Sequence, residues 1–283
     1  MPSSRAVLVL GMHRSGTSAL ARGLQVLGVY LGNDFLRAKP DNPTGYWEDR
    51  NIYEINERLL AVLGLKWEDI TLIDDARWHE PEVETLLAEA IEYLRSQFLS
   101  YPLWGFKDPR TIRLLPFWQS ALRRLDVDES YLVVTRDPRS VASSLLHRQG
   151  MNGLTAHLLW LVYMVPNLGK IAKGSFVVSD YDLLMADPRR QLERIAQCLR
   201  LPLDAAGTEQ FASAFLDPAL RHSYFDVSDV ELDANLPLLA REAYLWLHRL
   251  ATDRTATDSP RFWAAWEINR QAVERLIAET GCR

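Results

Sequence analysis

Apolar runs of strand length recur along the chain at residues 6–10, 103–106, 131–135 and 176–178. Each is followed by a stretch whose apolar positions keep a helical spacing, and this alternation predicts an α/β fold with a mainly parallel central sheet flanked by helices. Between the first two runs, residues 52–63 and 83–98 carry apolar side chains at the helical period. They are expected to cover the sheet or wall a cleft. Residues 39–45, Lys-Pro-Asp-Asn-Pro-Thr-Gly, are dense in turn formers and read as a loop that delivers Tyr46, Trp47 and Glu48 to a helix start. Pro188 opens a helix running to about Leu199, with Leu192, Ile195, Ala196 and Leu199 on one face, and Pro202 closes it. Residues 158–165, between His157 and Pro166, are the most apolar later run, too short to span a bilayer and read as a buried helix. Residues 236–277 are again helical in pattern and rich in Leu and Trp. The expectation is a single domain over 1–283 with a helical tail, 236–283, packed on the core; the loop-like 253–260 leaves a separate helical domain as the alternative.

Composition narrows the function classes. The chain has 283 residues, 48% hydrophobic and 24% charged, which is globular rather than disordered. Its formal net charge of -5 speaks against a general nucleic-acid binder. Any anion site is therefore a local concentration of cations, because the field of the whole chain weakly repels an anionic ligand. Cys198 and Cys282 are too few for a disulfide framework and point to a reducing compartment. The N-terminus enters a strand pattern almost at once, without an apolar signal segment, so a cytoplasmic protein with no membrane span is expected.

The chemistry starts at residues 6–18, Ala-Val-Leu-Val-Leu-Gly-Met-His-Arg-Ser-Gly-Thr-Ser. A strand that ends at Gly11 and re-enters a helix near Gly16 aims backbone N–H groups and a positive helix end into one small space, which suits a phosphate. A nucleoside triphosphatase loop places a lysine directly after the second glycine, to reach the β- and γ-phosphates. Here that position is Thr17, and the strong cation of the loop is Arg14, before Gly16. This shift argues against ordinary ATP use.

A second strand empties into a helix at residues 131–144, Tyr-Leu-Val-Val-Thr-Arg-Asp-Pro-Arg-Ser-Val-Ala-Ser-Ser. Asp137 suits the N-cap and Pro138 the first helical position. Ser140 and Ser144 then fall one turn apart beside Arg136, an arrangement of guanidinium and hydroxyls fit for a second anion. The competing reading pairs Arg136 with Asp137 and leaves the serines as caps or surface.

With both loops in order, the chain resembles the sulfotransferases that use 3'-phosphoadenosine 5'-phosphosulfate (PAPS). Their 5'-phosphosulfate loop has the form (K/R)-[ST]-G-[TS]-[TS], matched by Arg14, Ser15, Gly16, Thr17 and Ser18; their 3'-phosphate stretch R-x-P-x-x-x-x-x-S is matched by Arg136, Pro138 and Ser144. Residues 177–184 with Asp187 and Pro188 extend the likeness, which covers roughly residues 6–200. The resemblance implies a P-loop-like three-layer fold, PAPS as co-substrate and 3',5'-ADP (PAP) as product, and transfer of a sulfonate to a hydroxyl, or less favourably an amine, of a small molecule, lipid or sugar. Two departures stand out. Arg14 occupies a position where many members carry lysine, and a guanidinium holds an anion with a fork of donors but gives up a proton less readily. No C-terminal G-x-x-G-x-x-K is present, and Arg221 is the late cation that stands in for it.

Sulfonate transfer requires an acceptor in line with the sulfur, a base for its proton, and cations for the leaving phosphate. It has no chemical requirement for a metal. Glu48 is the first candidate base, among aromatics that raise a carboxyl pKa by desolvation, and a glutamate at a broadly similar distance serves in carbohydrate-modifying branches. Alternatively Glu48 or Asp49 caps the helix that follows. Lys107 and Asp108 directly follow the second strand; Lys107 matches a family lysine and is expected on the sulfonate, while Pro109 stands where other branches have a histidine. Asp108 is either a base or one half of an ion pair with Arg110. His13 is either a donor near the anion or a space-filling loop residue. The six histidines show no H-E-x-x-H and no zinc-type spacing with cysteine, so no metal site is expected. Trp47, Trp67 and Trp78 line the acceptor cleft or belong to the core. The rivals are a phosphotransferase with a degenerate loop and a non-catalytic nucleotide-binding protein.

Overall fold

Side chains alternate between the two faces of a strand, so runs that are apolar at every position require both faces of the sheet to be covered. The computed structural model describes residues 4–38, 45–216 and 225–281; residues 39–44 of the turn-rich segment and Arg221 lie outside them. All four apolar runs are strands: β1 (Arg5–Leu10), β2 (Leu103–Lys107), β3 (Asp128–Thr135) and β4 (Phe176–Asp180), parallel throughout in the order β2-β1-β3-β4. The register sets Val9 beside Lys107 and Leu132, and Leu10 beside Val133. The chain moves to one side of β1 after the first strand and to the other side afterwards. The carboxyl ends of β1 and β3 thus flank a switch point, where open α/β sheets bind ligands.

One face of the sheet, with Val7, Val9, Leu132 and Val134, packs against Leu20 and Leu24 of α1 (Thr17–Val26) and Leu192 and Ile195 of α8 (Pro188–Leu199). The other face, with Leu8, Leu10, Val133 and Val178, meets α2 (Arg50–Val62), α3 (Pro81–Gln97), α4 (Leu115–Arg124), α5 (Pro138–Gln149) and α6 (Gly153–Leu168). The fold is therefore the three-layer α/β architecture expected. Between β4 and α8 stands the short α7 (Tyr181–Ala186), and after α8 comes α9 (Ala205–Gln210). The tail forms α10 (Leu238–Ala251) and α11 (Pro260–Gly281), whose Tyr244, Leu247, Phe262 and Trp266 share an apolar cluster with Leu8 and Val133. Each such fully buried side chain contributes roughly 1.5–3 kcal/mol. No helix among the described residues is long and apolar enough to cross a membrane.

Helix starts follow the expected polar chemistry. Asp137 accepts from the Arg139 amide at 2.8 Å, with Pro138 in the first position of α5. The run 158–165 is buried, but Pro166 does not end its helix, since α6 continues to Leu168. Proline removes the amide that would bond to the Val162 carbonyl. The Asn167 side chain supplies the replacement, donating from Nδ2 to the carbonyls of Val162 at 3.0 Å and Tyr163 at 2.9 Å.

Asn167→Leu should leave those buried carbonyls short of a donor and lower stability by about 1–3 kcal/mol in urea unfolding. In a Pro166→Ala background the backbone amide returns, and the same substitution should cost clearly less. Equal costs in both backgrounds would separate Asn167 from the proline.

Candidate active site

The loop from β1 to α1 passes through left-handed backbone twice, at Arg14 (φ 67°) and at Gly16 (φ 87°). The Ser15 amide closes the turn onto the Met12 carbonyl at 3.3 Å. Gly16 stands at the N-cap without a side-chain acceptor, so the first-turn amides of α1 face the loop. Glycine is required there on two counts. Besides the positive φ, a Cβ would lie 2.1 Å from Cδ2 of Tyr181, the residue that follows β4.

Tyr181 also carries the second cation. The Arg136 guanidinium lies over its ring at 4.8 Å and donates to the Arg14 carbonyl at 3.4 Å. Arg14 in turn donates from Nε to Ser144 Oγ at 2.9 Å, joining segments 130 residues apart. The Asp137 carboxylate is engaged by Arg139 at 2.7 Å. Ser140 is fully buried behind this cluster, and Thr17 is buried at the start of α1. The Ser15 and Thr135 hydroxyls are buried with no hydrogen-bond partner among the described residues. Unsatisfied polar groups at such depth cost about 1–3 kcal/mol each.

Lys107, at the carboxyl end of β2, reaches across the cleft. Its ammonium donates to Glu48 Oε1 at 2.6 Å, the Tyr46 carbonyl at 2.9 Å and Ser18 Oγ at 3.2 Å. Both side chains of this ion pair are buried, at 2% and 8% exposure. The helix cap is Asp49, which accepts from the amides of Asn51 at 3.0 Å and Ile52 at 3.1 Å, and this leaves Glu48 available to the cleft. Burial raises the Glu48 carboxyl above its usual range, with the Lys107 charge opposing. Asp108 lies differently: Arg110 donates to its two oxygens at 3.2 and 3.1 Å, and the Arg110 amide adds a bond at 2.7 Å. Arg110 also pairs with Glu57. Asp108 thus shapes the turn after β2.

His13 packs against Trp67, with ring centroids 4.5 Å apart, and meets Tyr163 edge-on at 5.8 Å. Its Nε2 is buried with no partner among the described residues. Burial, reinforced by Arg110, Lys107, Arg148 and Arg14, holds the imidazole well below its ordinary pKa. It is neutral at pH 7. Of the three tryptophans, Trp67 belongs to this cleft, Trp78 is core, and Trp47 packs with Phe35 at 5.4 Å and under Arg22 at 5.5 Å on the other side of the sheet. Tyr181 and Tyr163 received no role from the sequence pattern. The signal for Tyr181 was its place directly after a strand, at the edge where the other site residues emerge.

No protein-family model and no curated protein sequence matches the chain. Among solved structures, the sulfotransferase domain of the olefin synthase of Synechococcus PCC 7002 superposes with a TM-score of 0.50 at 18% identity, covering 90% of this chain and 96% of that one. The chain carries the sulfotransferase fold. A sulfotransferase of Mycobacterium avium aligns more loosely, with a TM-score of 0.45 at 18% identity over 80% of this chain and 70% of its own. On the sulfotransferase fold of this chain, the described residues among those the sequence singled out as anion-binding converge at the carboxyl edge of β1, β2 and β3.

Gly16→Ala should disrupt the loop, through both its φ and the Tyr181 contact, and a fall in thermal midpoint with loss of anion binding would register it. His13 gives a pH signature. Its folded pKa is depressed, so the stability it contributes is present above the unfolded value of about 6.5 and is lost as pH falls, by at most about 1.4 kcal/mol per pH unit. Urea unfolding of wild type and His13→Asn from pH 7.5 to 5 should show the wild type losing stability more steeply below pH 6.5. Parallel curves would contradict a buried neutral imidazole.

Proposed function

We propose that this chain is a PAPS-dependent sulfotransferase, a single domain that moves a sulfonate to a hydroxyl of an organic acceptor. The observation that carries this reading is the Arg14–Ser144 bond, which joins the glycine-turn loop and the Arg136 segment into one cleft at the switch point. A ligand with phosphate groups at two separated points fits that cleft better than a triphosphate. The kinase alternative needs a lysine at position 17 and a carboxylate after a strand for magnesium. Position 17 is threonine, Asp108 is engaged by Arg110, and Asp180 accepts from the Asp182 amide at 2.8 Å and the Tyr244 hydroxyl at 2.9 Å.

In this reading the amides of residues 13–18 with Arg14, Ser15, Thr17 and Ser18 hold the 5'-phosphosulfate, and Arg136 with Ser144 holds the 3'-phosphate. PAPS, when bound, supplies the activated sulfonate. Arg14 and Lys107 are placed to stabilise negative charge that develops on the departing phosphate oxygen. Glu48 takes the proton of the acceptor hydroxyl. An anion in the loop competes with Glu48 for the Lys107 ammonium, and a carboxylate in a desolvated pocket with less of its cation is the stronger base. Trp67 offers an aromatic wall for the acceptor.

Calorimetry with 3',5'-ADP and with ATP plus magnesium tests the reading directly. Tight binding of 3',5'-ADP is expected; tight binding of ATP with none of 3',5'-ADP would sink it. Arg136→Ala should weaken 3',5'-ADP more than about tenfold, since a charged buried hydrogen bond is worth about 1.5–3 kcal/mol. Glu48→Gln should spare nucleotide binding and lower turnover by roughly 10²–10⁴. Because burial raises the Glu48 carboxyl, the acid limb of kcat should lie above the usual glutamate range and vanish in Glu48→Gln. Unaltered turnover in that variant would move the base to Asp108, and 3',5'-ADP binding without transfer to any acceptor would favour a nucleotide-binding protein.

A further inference from the structure

A cavity of about 580 Å³ lies between the carboxyl end of α6, α11 and residues 71–75. None of its walls belongs to the loop 11–18 or to the 136–144 segment. Its apolar lining includes Trp263, Trp266, Ile73, Ile171 and Val162, and its rim carries four cations and three carboxylates. The carboxylates are unevenly committed. Arg270 engages Glu267 at 2.6 Å and also pairs with Glu274, and its bonds hold the Glu267 carboxyl down at about 2. Asp75, 83% exposed and 3.7 Å from Lys170, is then the one rim carboxylate that Arg270 does not bind, set against three remaining cations, Lys170, Lys173 and Arg113.

None of those three cations is well compensated. Arg113 is buried and donates to the carbonyls of Asp69 at 2.8 Å and Thr71 at 2.7 Å, which satisfy its hydrogens but not its charge. Burial lowers the Lys170 pKa, with Asp75 and Glu274 opposing only in part. Lys173 is exposed and stands over the Trp263 ring at 5.6 Å, with no ion pair among the described residues. A cation-rich mouth above an aromatic lining selects for a ligand with matching halves.

We propose that this cavity is a second ligand site, for an amphipathic monoanion whose ring system rests on Trp263 and whose sulfate-ester or carboxylate head sits between Lys170 and Lys173. Such a head supplies the negative charge the rim lacks, and the ring displaces water from the partly exposed Trp263 indole. The site is built close to the cleft without sharing its anion groups. The Arg113 guanidinium lies over Tyr163 at 5.4 Å, the Tyr163 hydroxyl donates to the Trp67 carbonyl at 2.7 Å, and the Tyr163 ring meets His13.

Calorimetry of the full chain with 2-naphthyl sulfate, 2-naphthoate and uncharged 2-naphthol tests the assignment, independently of any nucleotide. Both anions should bind at least about tenfold more tightly than 2-naphthol, a difference of about 1.4 kcal/mol. A further preference for the sulfate ester would identify sulfated molecules as the source, and equal affinities free carboxylates. Lys170→Gln and the exposed Lys173→Gln should each weaken the anions severalfold and leave 2-naphthol unchanged, whereas Lys107→Gln and Arg136→Ala should change neither. Thermal midpoints confirm that each variant is folded, and Lys173→Gln, on the surface, remains decisive if Lys170→Gln is not. Anions that bind no better than 2-naphthol, or that lose as much affinity in Lys107→Gln as in Lys170→Gln, would overturn the site.

Discussion

The buried pair of Lys107 and Glu48 is the interaction around which the carboxyl edge of the sheet is arranged. Moving two charges out of water costs several kcal/mol each, and a buried pair often stabilises no better than apolar side chains of the same volume. Stability is therefore a poor reason for it to exist. What the pair does is positional. Through the Tyr46 carbonyl and Ser18 Oγ, the same ammonium ties β2, the segment leading into α2, and the first turn of α1 to one point. Removing either partner would leave a buried charge uncompensated.

Around that point the chain gathers positive charge against its own balance. The net charge is -5, yet Arg14, Lys107, Arg110 and Arg136 stand close to one loop. The geometry divides them: Arg110 is bound to Asp108 and Glu57, while Arg14 and Arg136 meet carbonyl, hydroxyl and ring groups in the bonds described. A neutral His13 is the complement of this arrangement. Another full charge would be repelled by these cations, so the imidazole stays neutral and fills space between Trp67 and Tyr163.

Much of this was legible in the chain. Strands buried on both faces leave apolar runs, and the aspartates at 49 and 137 mark helix starts because their side chains cap the helices that follow. The loop 13–18 and the 136–144 segment were legible for the same local reason: a strand, a turn and a helix start are consecutive in sequence. Long-range pairing was not. Nothing local says that Lys107 meets Glu48, 59 residues earlier, or that Arg14 meets Ser144. Where two readings were open, tertiary contacts decided: Asp49 caps and Glu48 does not, Asp108 is held by Arg110, and Trp78 is core while Trp67 lies at the loop. Tyr181 escaped because its importance is a contact with a glycine, and a missing side chain leaves no mark on its neighbour's sequence.

Under the proposed function, that buried pair gives the site an order of events. While Lys107 holds Glu48, the ammonium favours the charged carboxylate and offsets part of the rise in basicity that burial imposes. Ser18 is the group both sides share, since it contacts Lys107 and belongs to the loop that would receive the 5'-phosphosulfate. An anion seated there draws on the ammonium at the moment when a leaving oxygen needs it, and Glu48 gains basicity in the same step. The cation that stabilises departure and the base that activates attack are thus governed by one proton-bearing side chain. Arginine at position 14 suits this division of labour. Its guanidinium grips Ser144 without offering a second exchangeable proton near the reacting atoms, so Lys107 is left as the residue on which the coupling turns.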